Sequence, residues 1–109
     1  MNRALDRDRR SSSQVWLDVV SAVDGRAPVL LDSGIRCGAD VLIALALGAH
    51  AVLLGRPLVY GLGLAGQRGV EHVLRAILGD LDLTLALAGY ARPAEVTPHS
   101  VVKDGGHGI

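Results

Sequence analysis

The sequence predicts an α/β fold in which short parallel strands are covered by helices. Two apolar runs, 29–31 and 51–54, do not alternate with polar residues, which is typical of strands that are buried on both faces. Segment 39–47 between them is rich in leucine and alanine, which favours a helix, and Gly48 is placed to cap its C-terminus. The predicted order of elements is therefore helix, strand, helix, strand, because a further helix precedes the first run.

Amphipathic patterns predict helices on either side of this unit. Before the first strand, apolar residues recur at about four-residue spacing until Asp24-Gly25 ends the helix. This predicted apolar stripe comprises Val15, Val19 and Val23, with Trp16 and Val20 beside them. After Pro57 we expect a brief helical turn, then one helix over 70–78 and another over 81–88 that stops before Gly89.

Composition limits the classes of partner. The 11 basic and 11 acidic residues cancel, and aromatic residues make up only 3% of the chain, so nothing points to nucleic acid. The apolar segment 41–54 would span about 22 Å as a helix, short of the roughly 30 Å of a bilayer core, so we expect no membrane span. The single cysteine, Cys37, is predicted to be a small buried thiol, and the absence of an internal disulfide favours a cytoplasmic location.

Glycine and arginine follow both predicted strands. The first strand runs into Asp32-Ser33-Gly34-Ile35-Arg36, and the second runs into Gly55-Arg56-Pro57. Parallel sheets bind ligands at the carboxyl ends of their strands, and glycine lets the backbone approach a ligand closely. Pro57 suits the start of a helix, where backbone amides bind phosphate, and arginine pairs with phosphate oxygens. The two loops together therefore predict a phosphate site.

Two parallel strands alone make an incomplete sheet, since both outer edges stay unpaired and the helices lack cover. A related arrangement is common in (β/α)8 barrels, where the loops after strands seven and eight build a phosphate site.

Two longer runs of the sequence support the interpretation as part of a phosphate-binding barrel. The run DSGIRCGADVLIALALGAHAVLLGRPLVYGL, followed by GVEHVLRAILGDLDLTLALAGY, closely resembles the C-terminal part of the FMN-dependent 2-hydroxy-acid oxidase and dehydrogenase family. The resemblance extends from about Val15 to Pro98 and implies the C-terminal part of a (β/α)8 TIM barrel, strands seven and eight with their helices, incomplete as a single chain. Most members carry glycine at the position of Ser33, and in this respect the sequence resembles the lactate 2-monooxygenase branch.

The resemblance implies that FMN is the cofactor and assigns roles residue by residue. It places a ribityl contact on Asp32 and phosphate contacts on the glycine amides and the two arginines. The implied cofactor-binding residues are Asp32, Ser33, Gly34, Ile35, Arg36, Gly55 and Arg56. No metal ligands are implied.

Catalytic residues are not expected in this chain. Family members use a histidine base in a His-Gly-Gly-Arg motif after strand six, and the sequence begins after the place of that motif. None of the four histidines at 50, 72, 99 and 107 has an acidic partner or metal-ligand spacing, so we expect non-catalytic roles for them. The resemblance thus implies a chain that is inactive alone.

Three segments are predicted: a solvated N-terminal segment at 1–13, the barrel part at 14–98 and a flexible tail at 99–109. The leading hypothesis is the FMN-binding C-terminal part of a lactate-like (S)-2-hydroxy-acid oxidoreductase, with the 2-hydroxy acid bound only in a complete barrel. Its expected partner is a complementing polypeptide or a second copy of the chain. The alternatives are a non-catalytic, self-associating phosphate-ligand module and a degenerate inactive remnant.

Overall fold

The computed structural model describes residues 12–102, which form an α/β unit. The elements in chain order are α1 (Ser12–Val23), β1 (Leu30–Asp32), α2 (Gly38–Ala46), β2 (Ala51–Leu53) and α3 (Arg56–Leu87), followed by 3-10 turns at Pro93–Glu95 and Pro98–Ser100. The predicted order of helix, strand, helix, strand is confirmed. Most of the predicted N-terminal segment 1–13 and tail 99–109 lies outside the described residues.

The two strands pair in parallel, as the sequence predicts. Leu31 lies opposite Val52, and Asp32 lies opposite Leu53. Helix α2 makes the crossover between the strands and ends where Gly48 takes a φ of +105°. A side chain at position 48 would also collide with Val20, so glycine is required there by both the backbone and the packing.

Only one face of this sheet is covered, which corrects the expectation of strands buried on both faces. Leu31 and Val52 pack against the hydrophobic core, whereas Leu30 is 53% exposed and Leu53 is 48% exposed. The helices cover one side of the sheet, and no described element covers the side that carries Leu30 and Leu53. Strands that are apolar on both faces but covered on only one are expected for part of a barrel taken without the rest.

The core forms where α1, α2 and α3 meet this sheet. Its buried members are Trp16, Val29, Ile35, Val41, Ala44, Ala49 and Ile77. Helix α1 contributes Trp16, whose indole N–H donates to the Leu47 carbonyl at 3.2 Å. The predicted valine stripe of α1 is wrong in part, because Val15 and Val19 are exposed. The buried face is centred one position further along, on Trp16, Val20 and Val23.

Helix α3 is 32 residues long and contains one kink, at Ala65 and Gly66. The predicted brief turn after Pro57 is instead a helical segment over 56–64, and the two predicted helices at 70–78 and 81–88 are one helix. The continuity follows from spacing: Ile77, Leu81 and Leu85 recur every four residues, so a single face stays against the core through Gly79.

Two glycines allow the segments on either side of the kink to fold against each other. A Cβ atom built on Gly69 would lie 1.8 Å from the Gly61 carbonyl oxygen, and one on Gly61 would lie 2.6 Å from the Gly69 oxygen. Any side chain at either position would push the backbones apart. This contact sets the direction in which the segment 56–64 leaves β2.

We predict that Gly69→Ala lowers the free energy of unfolding by about 1–3 kcal/mol, the usual cost of overpacking a close contact. The matched control is Gly63→Ala, also in α3, where a Cβ would meet nothing within 4 Å. That control should be neutral or stabilising by up to about 1 kcal/mol, since alanine favours helix. Urea unfolding followed by circular dichroism measures both, and equal effects would contradict the proposed contact.

Candidate functional site

A cavity of about 260 Å³ lies at the carboxyl ends of β1 and β2. It is lined by all seven residues that the sequence singled out: Asp32, Ser33, Gly34, Ile35, Arg36, Gly55 and Arg56. Leu53 and Pro57 also line it and were not among them. The parallel register could have indicated Leu53, because it lies opposite Asp32 on the same uncovered side of the sheet.

The loop between β1 and α2 turns sharply at two consecutive residues. Ser33 has a φ of +82° and Gly34 a φ of +83°. Glycine adopts this conformation at little cost, whereas serine is strained in it. The next residue, Ile35, is only 5% exposed and belongs to the core, so its side chain anchors the loop while its backbone borders the cavity.

Arg36 ends this loop and has an exposed side chain at the cavity. Its backbone N–H donates to the Asp40 carboxylate at 2.9 Å. Asp40 lies in the first turn of α2, where a carboxylate is favoured by the helix dipole. The backbone at Arg36 is therefore held by α2, while the guanidinium group is left to interact with a ligand.

The second loop leads directly into α3. Gly55 is the N-cap residue, Arg56 is the first helical residue and Pro57 is the second, so Pro57 lies at the start of a helix as the sequence predicts. The Gly55 carbonyl accepts the N–H groups of Leu58 and Val59 at 3.1 Å. The N-terminus of α3, which is the positive end of the helix dipole, therefore lies at the cavity beside Arg56. The charged residues that line the cavity are therefore two arginines and one aspartate, Asp32, and the start of a helix lies beside them.

The described histidines lie outside this cavity. His50 accepts the backbone N–H of Val29 through Nδ1 at 3.0 Å, so its ring joins the start of β1 to the start of β2. His72 and His99 are exposed, and His107 lies outside the described residues. Within residues 12–102 no group of three histidine, cysteine or acidic side chains is arranged to hold a metal ion. Cys37, predicted as buried, is partly exposed because it occupies the N-cap position of α2.

The sequence of the chain matches a known protein family. The family model described as FMN-dependent dehydrogenase matches residues 2–103, nearly the whole chain. The chain belongs to the FMN-dependent dehydrogenase family. It is 61% identical over 71 residues to an FMN-dependent alpha-hydroxy acid dehydrogenase of Schizosaccharomyces pombe, covering 65% of this chain and 17% of that protein. It is 54% identical over 80 residues to an L-lactate oxidase of a Roseobacter species, covering 73% and 22%.

Solved structures of this FMN-dependent dehydrogenase family share the fold. A soluble mutant of the (S)-mandelate dehydrogenase of Pseudomonas putida superimposes with a TM-score of 0.80 at 41% identity, covering 86% of this chain and 26% of that one. A lactate oxidase of Pediococcus acidilactici gives a TM-score of 0.75 at 41% identity, covering 80% and 24%. The chain is thus part of a TIM barrel, and it spans about a quarter or less of these relatives.

These relatives do not indicate a single cellular location for the chain. A peroxisomal (S)-2-hydroxyacid oxidase of Arabidopsis thaliana is 51% identical over 84 residues, covering 77% of this chain and 23% of that protein, and bacterial enzymes match comparably. The predicted cytoplasmic location therefore stays a prediction. None of the helices within residues 12–102 combines the length and apolar character that a membrane span requires.

The strain at Ser33 leads to a stability prediction. Ser33→Gly should raise the free energy of unfolding by about 0.5–1 kcal/mol, because relief of a left-handed serine outweighs the greater freedom of glycine in the unfolded chain. The control Ser33→Ala removes the hydroxyl group but keeps the strain, so it should give no gain. Chemical denaturation of the three proteins measures the difference, and an equal gain from alanine would assign the effect to the hydroxyl group instead.

Proposed function

We propose that this chain supplies the phosphate and ribityl site of FMN in a lactate-like FMN-dependent (S)-2-hydroxy-acid oxidoreductase. The observation that carries the proposal is the cavity at the ends of β1 and β2, which both loops line together with Arg36 and Arg56. FMN is the cofactor of the family, and relatives named as lactate, glycolate and mandelate enzymes act on 2-hydroxy acids.

The residues present fit the phosphate end of FMN. Two guanidinium groups can pair with a phosphate dianion, and the backbone N–H groups of Gly55 and Arg56 at the start of α3 are further donors beside the same cavity. At Gly34 and Gly55 a Cβ would meet nothing within 4 Å, so the space beside both glycines is open to a ligand. The donors of both loops together would bind a phosphate dianion more tightly than the donors of either loop alone.

Each residue has a distinct role in the proposed site. Arg36 and Arg56 bind the phosphate, and the amides after Ser33 and at the start of α3 complete its hydrogen bonds. Asp32 extends from the end of β1 into the cavity, where its carboxylate can accept hydrogen bonds from ribityl hydroxyl groups. Bound FMN would accept a hydride from the 2-hydroxy acid. The described residues of this chain bind and orient the cofactor, and we assign none of them to proton transfer from the substrate.

The uncovered sheet face supports a complementing polypeptide as partner. Leu30 and Leu53 are about half exposed, and both edges of the two-stranded sheet are unpaired among the described residues. Because the chain matches only 17–24% of the length of its curated relatives, the remaining strands of a barrel are the surface that fits this face. We therefore propose activity only in the completed barrel. A second copy of the chain is the other candidate, and a dimer in light scattering of the purified chain would favour it.

We predict saturable binding of FMN to the 109-residue chain, followed by flavin fluorescence. Arg36→Ala and Arg56→Ala should each weaken binding about ten-fold or more, since each removes a charged hydrogen-bonding group worth roughly 1.5–3 kcal/mol. Riboflavin, which has no phosphate, should bind the variants and the unaltered chain equally.

The matched control is Arg68→Ala, which removes an exposed arginine of α3 beyond the kink and should leave FMN binding unchanged. If a folded, soluble chain bound no FMN, or if the cavity variants bound it as tightly as the Arg68 variant, the proposed phosphate site would be wrong. Of these two outcomes, the absence of FMN binding would favour the degenerate-remnant alternative.

A further inference from the structure

Two carboxylates accept backbone N–H groups at and just before the N-terminus of α2. Asp40 Oδ2 accepts the backbone N–H of Arg36 at 2.9 Å, and Asp80 Oδ2 accepts the backbone N–H of Gly38 at 2.6 Å. Hydrogen bonds from backbone amides to a carboxylate are stronger than neutral ones, and negative charge is favoured at a helix start. Neither carboxylate lines the cavity itself.

Asp80 makes this contact from a distant part of the chain. It lies on α3, 42 residues after Gly38. The two backbones meet directly there, because a Cβ built on Gly38 would lie 2.1 Å from the Leu81 nitrogen. A glycine contact and a charge-assisted hydrogen bond therefore fix the first turn of α2 against the second part of α3.

These contacts bear on the loop that borders the cavity. Arg36 lies two residues before Gly38, and its own backbone is held by Asp40. The loop 33–36 is thus held at its end by Asp40 and in its middle by the buried side chain of Ile35, and Asp80 holds the first turn of α2 that follows the loop. Since the N–H groups of Arg36 and Gly38 already donate to carboxylates, these two donors are not available to an anion in the cavity.

We propose that Asp40 and Asp80 are positioning residues for the phosphate end of FMN. They act through the backbone of the loop 33–36, holding Gly34 and Arg36 where the second loop, with Arg56, completes the site. This inference rests on the proposed function and goes beyond it, because it assigns a binding role to two acidic residues that do not touch the ligand.

Simple charge repulsion predicts the opposite sign, which makes the proposal easy to test. Removing a negative charge near a phosphate dianion should strengthen FMN binding if Coulomb repulsion dominates. Loss of positioning should weaken it. Asparagine separates the two effects, because Asp→Asn removes the charge and keeps an oxygen that can accept the backbone N–H.

The experiment compares Asp40→Ala, Asp80→Ala and their asparagine counterparts with Asp82→Ala, an exposed control two residues further along α3. FMN and riboflavin are titrated against each protein, and amide hydrogen exchange is measured at Arg36 and Gly38. We expect each alanine variant at 40 and 80 to weaken FMN binding about ten-fold with riboflavin unchanged, whereas the asparagine variants stay within about three-fold of the unaltered chain.

Several results would overturn the proposal. These are alanine variants that bind FMN like the Asp82 control, alanine variants that bind it more tightly, and an equal loss of FMN and riboflavin binding, which would indicate general destabilisation. If the unaltered chain does not prefer FMN to riboflavin, the proposed function fails separately. The positioning contacts are then judged by hydrogen exchange alone, and unchanged exchange at Arg36 in Asp40→Ala and at Gly38 in Asp80→Ala would refute them.

Discussion

The parallel pairing of β1 with β2 is the interaction on which the site depends. Each strand has only three residues, yet the register places Asp32 opposite Leu53, so both strands end at the same level. The two loops therefore begin side by side, and Arg36 and Arg56 reach one cavity although they are far apart in sequence. A shift of the register by one residue would turn Asp32 away from this side of the sheet.

So short a sheet depends on its helices to keep this register. Ile35 and Val41 bury the loop and the start of α2, and Gly38 brings α2 against α3. These contacts all lie on the covered face, whereas Leu30 and Leu53 are exposed on the other. The described part of the chain thus has one sheet face that is packed and holds the loops, and one sheet face that is bare.

Local patterns in the sequence were sufficient to predict the parts of the fold that depend on local physics. Non-alternating strands with a leucine-rich segment between them predicted parallel pairing, and glycines after the strands predicted the cavity-lining loops. The valine stripe of α1 was misplaced because helical spacing alone cannot tell Val15 and Val19 from the neighbouring face that carries Trp16. The pattern predicts separate helices at 70–78 and 81–88, but the spacing of Ile77, Leu81 and Leu85 continues through Gly79 and the structure has one helix there. The hydrogen bond from Gly38 to Asp80 joins residues 42 positions apart, which no local pattern can reveal.

Binding of one phosphate by both loops should be visible in the backbone amide resonances of the chain. In an NMR titration of the ¹⁵N-labelled chain with FMN, we expect the Gly34 and Arg56 amides to shift together and to give one dissociation constant. Riboflavin, which lacks the phosphate, should shift both amides less than FMN does at equal saturation. Shifts in only one loop, or different dissociation constants for the two loops, would contradict a shared phosphate site.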